Sequence, residues 1–531
     1  MLIYFVLVPI LIAVFLFMFP AYKVAKFLAS LAQGVLLGAA VHLFLLSREG
    51  DVFTNAGNYS GFLGITLRAD TLSAVFVMLT VFIFLIVTIY SFHDKNSRLF
   101  LFLLFTLEGA LIGLFLTQDL FNIFVLAEVS SVVAAALLMY NRRNRSMYDG
   151  LVYLMVNVIV MQFYLLGLGY LYRLTGVFDM GRVAEAVSVL DRSQLVLPFS
   201  LIMLAIVSKC GLLPVFSFLP KIHSIPQAPA SVGAILSGLQ VKAGLYLFLR
   251  FREIFAPIYV GDVFLVIGVV TAIFGVVLAL SQTNIKQMLA YSTIAQVGLI
   301  MVGLNLSQAY SFIGSVYHML GHAIAKVALF LAAGLLTYIY GTGDLIKIQG
   351  VFRRMPVVGL GMILAILGIT GAPFFSGNIS KYFMMADVNP LLFVIMVLIN
   401  LGTIIVFIKF GKMLFGKSSA PDASKPVPVD WFKQGTVLLV GVLCLIGGIW
   451  GETAIHQFFG LDLSLSLSGF VEKTIILAVS WVAGILIVCY LVPRCAAPLT
   501  RLGRLDLSFQ KICFSIGGFF AISLVVFGFL I

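Results

Sequence analysis

Residues 316–334 read VYHMLGHAIAKVALFLAAG, placing two histidines and a lysine, His318, His322 and Lys326, at steps of four inside an apolar run. Four-residue steps put side chains on nearly one face of a helix. At about 1.5 Å of rise per residue the three groups cover roughly 12 Å of axis. Histidine titrates near pH 6.5 and passes protons through either ring nitrogen, so the stripe is a ladder whose gaps one water could bridge. Paired histidines at i, i+4 also chelate zinc. The stretch HMLGH, however, lacks the glutamate of the metalloprotease motif, and no acid nearby completes a site. Proton relay is the reading the spacing favours.

Other ionisable residues sit in equally apolar surroundings. Lys209, Lys242 and Lys381 lie well inside hydrophobic runs, as do the acids Glu108 and Glu128. On insertion scales each such group costs about 2.5–3.5 kcal/mol at the centre of a spanning helix. With Lys326 the six cost on the order of 15–20 kcal/mol if those increments add. Two acids cannot neutralise four lysines, so some lysines must be neutral, hydrated or paired with another subunit. A desolvated lysine is a usable proton carrier near neutral pH. The bland alternative is that these groups only hold helices together as buried ion pairs; intramembrane charges more often mark ion pathways.

Two of the runs are interrupted. In SKCGLLPVFSFLP, Gly211 and Pro214 break the chain just after Lys209; in GITGAPFFSGNISK, Gly371, Pro373 and Gly377 break it just before Lys381. Gly and Pro weaken or remove helical hydrogen bonds. Backbone freed at membrane depth is tolerated where it is buried in protein or lines a wet cavity. Paired breaks in corresponding places point to a binding path between internal repeats.

The elements that must carry these groups are membrane helices. The chain has 531 residues, 62% hydrophobic and 10% charged, against roughly 45–50% and about 25% in soluble domains. Runs of about 20 apolar residues, enough to span a bilayer, recur throughout. The segmentation predicts an all-α polytopic membrane protein of about 14–16 spans: 2–20, 24–46, 72–92, 98–116, 121–140, 151–172, 195–218, 228–250, 260–281, 288–304, 311–340, 357–385, 390–415, 434–455, 472–493 and 512–531. The first run has almost no charged n-region and no small-residue cleavage site, so it reads as a retained span rather than a signal peptide. Five scattered cysteines without CxxC spacing suggest neither a disulfide framework nor an iron–sulfur site.

The net charge of +12 fits cytoplasmic loops, which collect Lys and Arg, better than nucleic acid. With both termini outside, 21 of the 33 basic residues fall on inner loops and eight on outer ones, which favours that orientation and an even span count. The breaks stand five spans apart, an odd offset that predicts inverted five-helix repeats, spans 4–8 against 9–13. The expected organisation is N-terminal spans 1–3 (1–97), a first repeat (98–250), a second repeat (251–415), a Pro/Ser-rich linker (416–433) and a C-terminal extension of about three spans (434–531).

From about residue 66 to 412 the chain resembles the antiporter-like subunits shared by respiratory complex I, membrane-bound hydrogenases and Mrp-type sodium/proton antiporters. LRADTLSAVF, DLFNIFVLAE, SKCGLLPVFSFLP, LSGLQVKAGLYLFLR, NIKQMLAYSTIAQVGLIMVGL, YHMLGHAIAKVALF and APFFSGNISK carry the resemblance. It implies that Glu128 and Lys209 form a charge pair, that Lys242 and the His318–His322–Lys326 stripe carry a proton along a hydrated midplane, and that Lys381 passes it on. Phe216, Phe218, Lys221, Asn284 and Gln287 depart from the family pattern, and Glu108 lies outside it, as an extra relay or a lysine's partner.

The expected function is proton translocation within a multisubunit inner-membrane complex, as part of an Mrp-type cation/proton antiporter. The alternative is the pumping arm of a hydrogenase or NADH dehydrogenase-like complex. A remote third reading is a membrane enzyme binding metal at His318 and His322. No cofactor or metal motif is present in the sequence. The expected partners are other integral membrane subunits, lipid, H+ and Na+.

Overall fold

The computed structural model describes residues 1–531 except 19–21, 59–63, 95–96, 224, 226–227, 387, 420–429, 462–465, 504 and 506. Most of the 416–433 linker and three of the inner basic residues, Lys95, Lys425 and Arg504, lie outside the described residues. Among the described residues, fourteen helices are long and apolar enough to cross a bilayer, and two more, Leu2–Met18 and Pro356–Thr370, are apolar but shorter. The chain is a multi-pass helical membrane protein, and each of the sixteen expected spans overlaps one of these helices.

The chain divides into two compact units. The first comprises Met1–Phe218, Leu239–Val260 and Leu507–Ile531; the second comprises Leu219–Gly238 and Gly261–Asp506. The first unit holds α1 (Leu2–Met18), α2 (Tyr22–Glu49), α3 (Thr71–Tyr90), α4 (Arg98–Leu116), α5 (Leu120–Leu138), α6 (Asn144–Thr175), α7 (Met180–Val189) and α8 (Arg192–Lys209). After the short α9 (Phe218–His223), α10 (Ala230–Ile254) starts in the second unit and ends in the first, the change falling within a π-helical turn over Leu236–Gln240.

The second unit continues with α11 (Gly261–Ser281), α12 (Ile285–Leu304), α13 (Ala309–Tyr340), α14 (Pro356–Thr370), α15 (Ser376–Met384), α16 (Pro390–Gly411), α17 (Trp431–Ile449), α18 (Gly451–Phe459), α19 (Leu467–Leu486) and α20 (Ala496–Gly503). The last helix, α21 (Phe509–Leu530), returns to the first unit. There Phe527 packs edge-on against Phe199 and the Ser515 hydroxyl donates to the Pro214 carbonyl at 3.0 Å.

Lipid tails are as apolar as leucine, so membrane helices associate through close packing of small residues. The α11–α12 pair shows this. A Cβ at Gly298 would collide with the Ala272 nitrogen, and one at Gly275 would lie 2.5 Å from the Ala295 nitrogen. Backbone polar groups at the helix ends are met by caps. Asp119 caps α5 by accepting from the Asn122 N–H at 2.7 Å, and Asn284 caps α12 by accepting from the Lys286 and Gln287 N–H groups.

The two caps belong to a larger correspondence. α6 and α13 are each 32 residues long, and each ends on a left-handed glycine, Gly176 and Gly341. Asp119 then pairs with Asp179, and Asn284 with Asp344, through isolated antiparallel bridges. Asp119 and Asn284 are as far apart in sequence as Gly176 and Gly341, 165 residues.

Several short elements escaped the hydropathy reading, among them the hairpin Val52–Asn55 with Thr66–Ala69 and the short helices α7 and α20. They are too short or too polar to register as spans. α6 begins seven residues before its expected apolar start at 151, because its first turns are polar: Ser146 is buried with its hydroxyl on the Leu138 carbonyl, and Asp149 is buried beside it.

Candidate functional site

In the first unit α8 stops at Lys209 and the chain turns through Gly211, which takes a positive φ of 72°, before α9 starts at Phe218. Ending the helix there places the ammonium of Lys209 against α5, where it donates to the Ser131 hydroxyl at 2.7 Å. Ser131 in turn donates to the Ala127 carbonyl, so its oxygen is left to accept from the lysine. Glu128, on the same helix, interacts electrostatically with Lys209. Among the described residues, however, no ion pair within 4 Å joins them, and Glu128 Oε1 is buried without a hydrogen-bond partner. The expected charge pair is therefore an open one, and the Lys209 ammonium is bonded to Ser131 instead.

Lys242 lies on α10 two residues beyond the π-helical turn and is fully buried. Single π turns inside α-helices are frequent at functional sites. Two residues on, Gly244 brings the helix carrying Lys242 against the end of α8: a Cβ there would stand 2.9 Å from the Cys210 nitrogen and the Lys209 carbonyl carbon. Gly244 was not singled out in the sequence. Its only signal was a glycine in VKAGLY two places from a buried lysine.

Glu108 is elsewhere in this unit, fully buried on α4, and accepts a hydrogen bond from the amide of Gln33 on α2. Its other oxygen, Oε1, has no hydrogen-bond partner. Among the described residues it forms no ion pair to a lysine, so Glu108 is not the lysine partner that charge counting suggested.

The second unit holds the stripe. His318, His322 and Lys326 are buried on α13. The two imidazole rings stack at 6.2 Å between centroids with planes 26° apart. His318 Nε2 lies 2.9 Å from Gln296 Oε1, and Nδ1 lies 2.8 Å from Ser380 Oγ. Thr403 donates its hydroxyl to Ile399 O and accepts from Gln296 Nε2, which fixes the amide oxygen toward the ring. Ser380 donates to Gly377 O and so has lone pairs for the ring. Both nitrogens of His318 thus have polar partners, an amide oxygen at Nε2 and at Nδ1 a hydroxyl that can accept or donate.

Lys326 donates to the Leu289 carbonyl at 2.9 Å and to the Ser292 hydroxyl at 2.5 Å, with Phe407 beneath it at 5.5 Å. Lys381 exploits the second break. α14 ends at Thr370, Gly371 turns the chain with a φ of 86°, and α15 resumes at Ser376. The Lys381 ammonium donates to the Ile369 carbonyl in the last turn of α14 and to Asn400 Oδ1, both at 2.6 Å. Cations are favoured there because the last carbonyls of a helix lack intrahelical partners and carry partial negative charge. Gly377, expected as part of the break, is helical instead, and serves a close approach: a Cβ there would run into the Gly368 carbonyl oxygen.

The residues picked out from sequence therefore fall into two sets: Glu128, Lys209 and Lys242 in the first unit, and His318, His322, Lys326 and Lys381 in the second. The residues that hold them, Ser131, Ser292, Gln296, Ser380 and Asn400, are uncharged and sit in apolar helices without a distinctive pattern, so the sequence did not reveal them. Among the described residues, no third His, Cys, Asp or Glu joins His318 and His322 in a metal-binding group.

Residues 117–407 match the family described as NADH:quinone oxidoreductase/Mrp antiporter, TM. The chain is 29% identical to an Na(+)/H(+) antiporter subunit of Alkalihalophilus pseudofirmus over 388 residues, covering 71% of this chain and 78% of that protein. It is 32% identical over 337 residues to an NADH-quinone oxidoreductase subunit of Desulforudis audaxviator, covering 60% and 66%. In fold it is similar to a chain in the structure of the Mrp complex from Dietzia sp. DQ12-45-1b, with a TM-score of 0.78 at 21% identity over 91% of this chain and 99% of that one.

Proposed function

Because the chain belongs to the NADH:quinone oxidoreductase/Mrp antiporter transmembrane family, we propose that it is the antiporter-like subunit of a multisubunit membrane complex and carries protons on its buried lysines and histidines, as part of an Mrp-type cation/proton antiporter. The observation that supports this reading most is the chemistry around the lysines. Lys209 and Lys381 are hydrogen-bonded to hydroxyl, amide and carbonyl oxygens.

Breaking a buried ion pair leaves an uncompensated charge and costs about 3–5 kcal/mol. A lysine bound by neutral oxygens can lose its proton without stranding a carboxylate. The helices are held by packing, and the lysines can change charge state. A scaffold would be built the other way, with each ammonium closed onto an acid.

In this reading the first set receives and releases a proton at Lys209, with Glu128 near enough to bias it electrostatically, and Lys242 continues that set. In the second set, His318 holds a proton between Gln296 and Ser380, stacked His322 and Lys326 extend the relay, and Lys381 exchanges it at the broken helix. Two inverted repeats of spans 4–8 and 9–13 frame the sets; the matched caps, helix lengths and left-handed glycines support that organisation. The excess of basic residues on alternate loops supports an inner-membrane location with both termini on the outer side.

The likeness to an NADH-quinone oxidoreductase subunit supports a second reading, the pumping arm of a redox complex. Gentle native purification separates the two. Small membrane subunits alone, with sodium-dependent proton flux in proteoliposomes, are the expected result. Co-purifying flavin, nickel or iron–sulfur subunits would move the protein to the redox reading, and a chain that stays stable alone would refute the multisubunit role.

A further inference from the structure

The C-terminal spans lie beyond the matched family segment, yet one of them reaches Lys381. A cavity of about 30 Å³ adjoins that lysine, enclosed by α15, α16 and α19. Its polar lining comes from Lys381, Asn378, Tyr382 and Asn400 on one side and from Lys473 and Ser480 of α19 on the other. A space of that size takes a water when polar partners are present. One partner is waiting: Asn378 is 6% exposed, its amide N–H donates to Gly371 O at 3.3 Å, and its Oδ1 has no hydrogen-bond partner.

The cavity has an exposed edge. Tyr382 and Lys473 are only partly buried, and the Tyr382 hydroxyl meets the exposed Ser466 at 3.3 Å. The Lys473 ammonium sits 4.1 Å from the centre of the Phe393 ring, which lines the same cavity. An ammonium is strongly hydrated, so its place beside Phe393 draws water to this mouth.

We propose that α19 completes a water-filled passage onto Lys381, with Lys473 as the positioning residue that keeps its mouth hydrated, and that Lys381 exchanges its proton with bulk water here. The step is a simple transfer. Lys381 Nζ–H gives its proton to the cavity water, leaving a neutral amine and a hydronium that passes its proton to water at the Lys473 mouth; reloading runs in reverse. This rests on the proton-carrying reading of Lys381, and it adds a function for a C-terminal span outside the family segment.

Two measurements on the assembled complex test it. Ser480→Leu fills the cavity from α19 and is expected to lower proton flux per complex at least about tenfold, whereas Val479→Leu, on the exposed face of α19, leaves flux unchanged. Hydroxyl-radical footprinting reads the water itself. Met385, which lines the cavity, is expected to be labelled in the native complex, to lose labelling in Ser480→Leu and Lys473→Leu, and to regain it in Lys473→Arg.

An unlabelled Met385 in the native complex overturns the passage, even if Ser480→Leu does not assemble. Full flux in Ser480→Leu overturns it as well. Lys381→Ala separates the two claims: flux lost there but kept in Ser480→Leu sinks the passage alone, and flux kept in Lys381→Ala sinks the proton-carrying reading.

Discussion

The two units treat their helix breaks differently. In the first, the lysine is the last residue of the helix before the break, and its ammonium reaches sideways to a serine on another helix. In the second, the lysine stands on the helix after the break and reaches back to the last turn of the helix before it. The turns themselves match. Leu212 N–H bonds to Val207 O just as Ala372 N–H bonds to Leu367 O, and each turn pivots on a left-handed glycine, Gly211 and Gly371. One backbone device therefore serves two lysine placements. What both lysines have is a helix break beside them and neutral oxygens to receive the ammonium, and which side of the break carries the charge is left to the side chains.

That comparison can be broken at several points. The largest effect is expected where the second unit packs most tightly. Gly377→Val drives a side chain into the Gly368 carbonyl and should abolish assembly, since overpacking of this kind costs about 1–3 kcal/mol or more; blue-native electrophoresis reads it directly. Gly244→Ala, against the backbone at Cys210, should be milder but measurable in the same assay. An equal loss in both would mean that the two breaks are equally rigid.

Next comes the polar support of each set. Gln296→Leu removes the acceptor facing His318 Nε2 and leaves a buried donor unmet, a loss of about 1–3 kcal/mol. It should lower proton flux and the thermal midpoint together. Gln240→Leu, whose amide only reaches Ser130 at 3.2 Å on the first side, should change both less.

Smaller still are the paired caps. Asp119→Ala and Asn284→Ala should each cost about 1 kcal/mol in a thermal-shift assay in detergent. Unequal losses would show that the corresponding loops are not equivalent. Glu108→Gln, hydrogen-bonded to Gln33, should leave flux close to native; a large loss would make Glu108 a relay.

Much of this was legible in the sequence because burial of charge in lipid is so unfavourable. Lys209, Lys242, Lys326 and Lys381 stand out in hydrophobic runs, and Gly211 and Gly371 mark the turns beside two of them. The partners were not legible. Ser131, Gln296 and Asn400 are ordinary residues of apolar helices, and their role depends on which helix faces which, information that one-dimensional hydropathy does not carry. The opening between Glu128 and Lys209 was hidden for the same reason, since charge counting pairs opposite signs and cannot foresee that a hydroxyl binds the ammonium. The π-helical turn before Lys242 left no trace in composition.

The most direct measurement is proton flux per assembled complex, in proteoliposomes, for Lys209→Ala and Lys381→Ala. Proton carriage by lysines held on neutral oxygens gives complexes that assemble but lose about a hundredfold in flux, within the range of positioned proton-transfer groups. Complexes that assemble poorly, with undiminished flux in those that form, would contradict it and leave the buried lysines as struts.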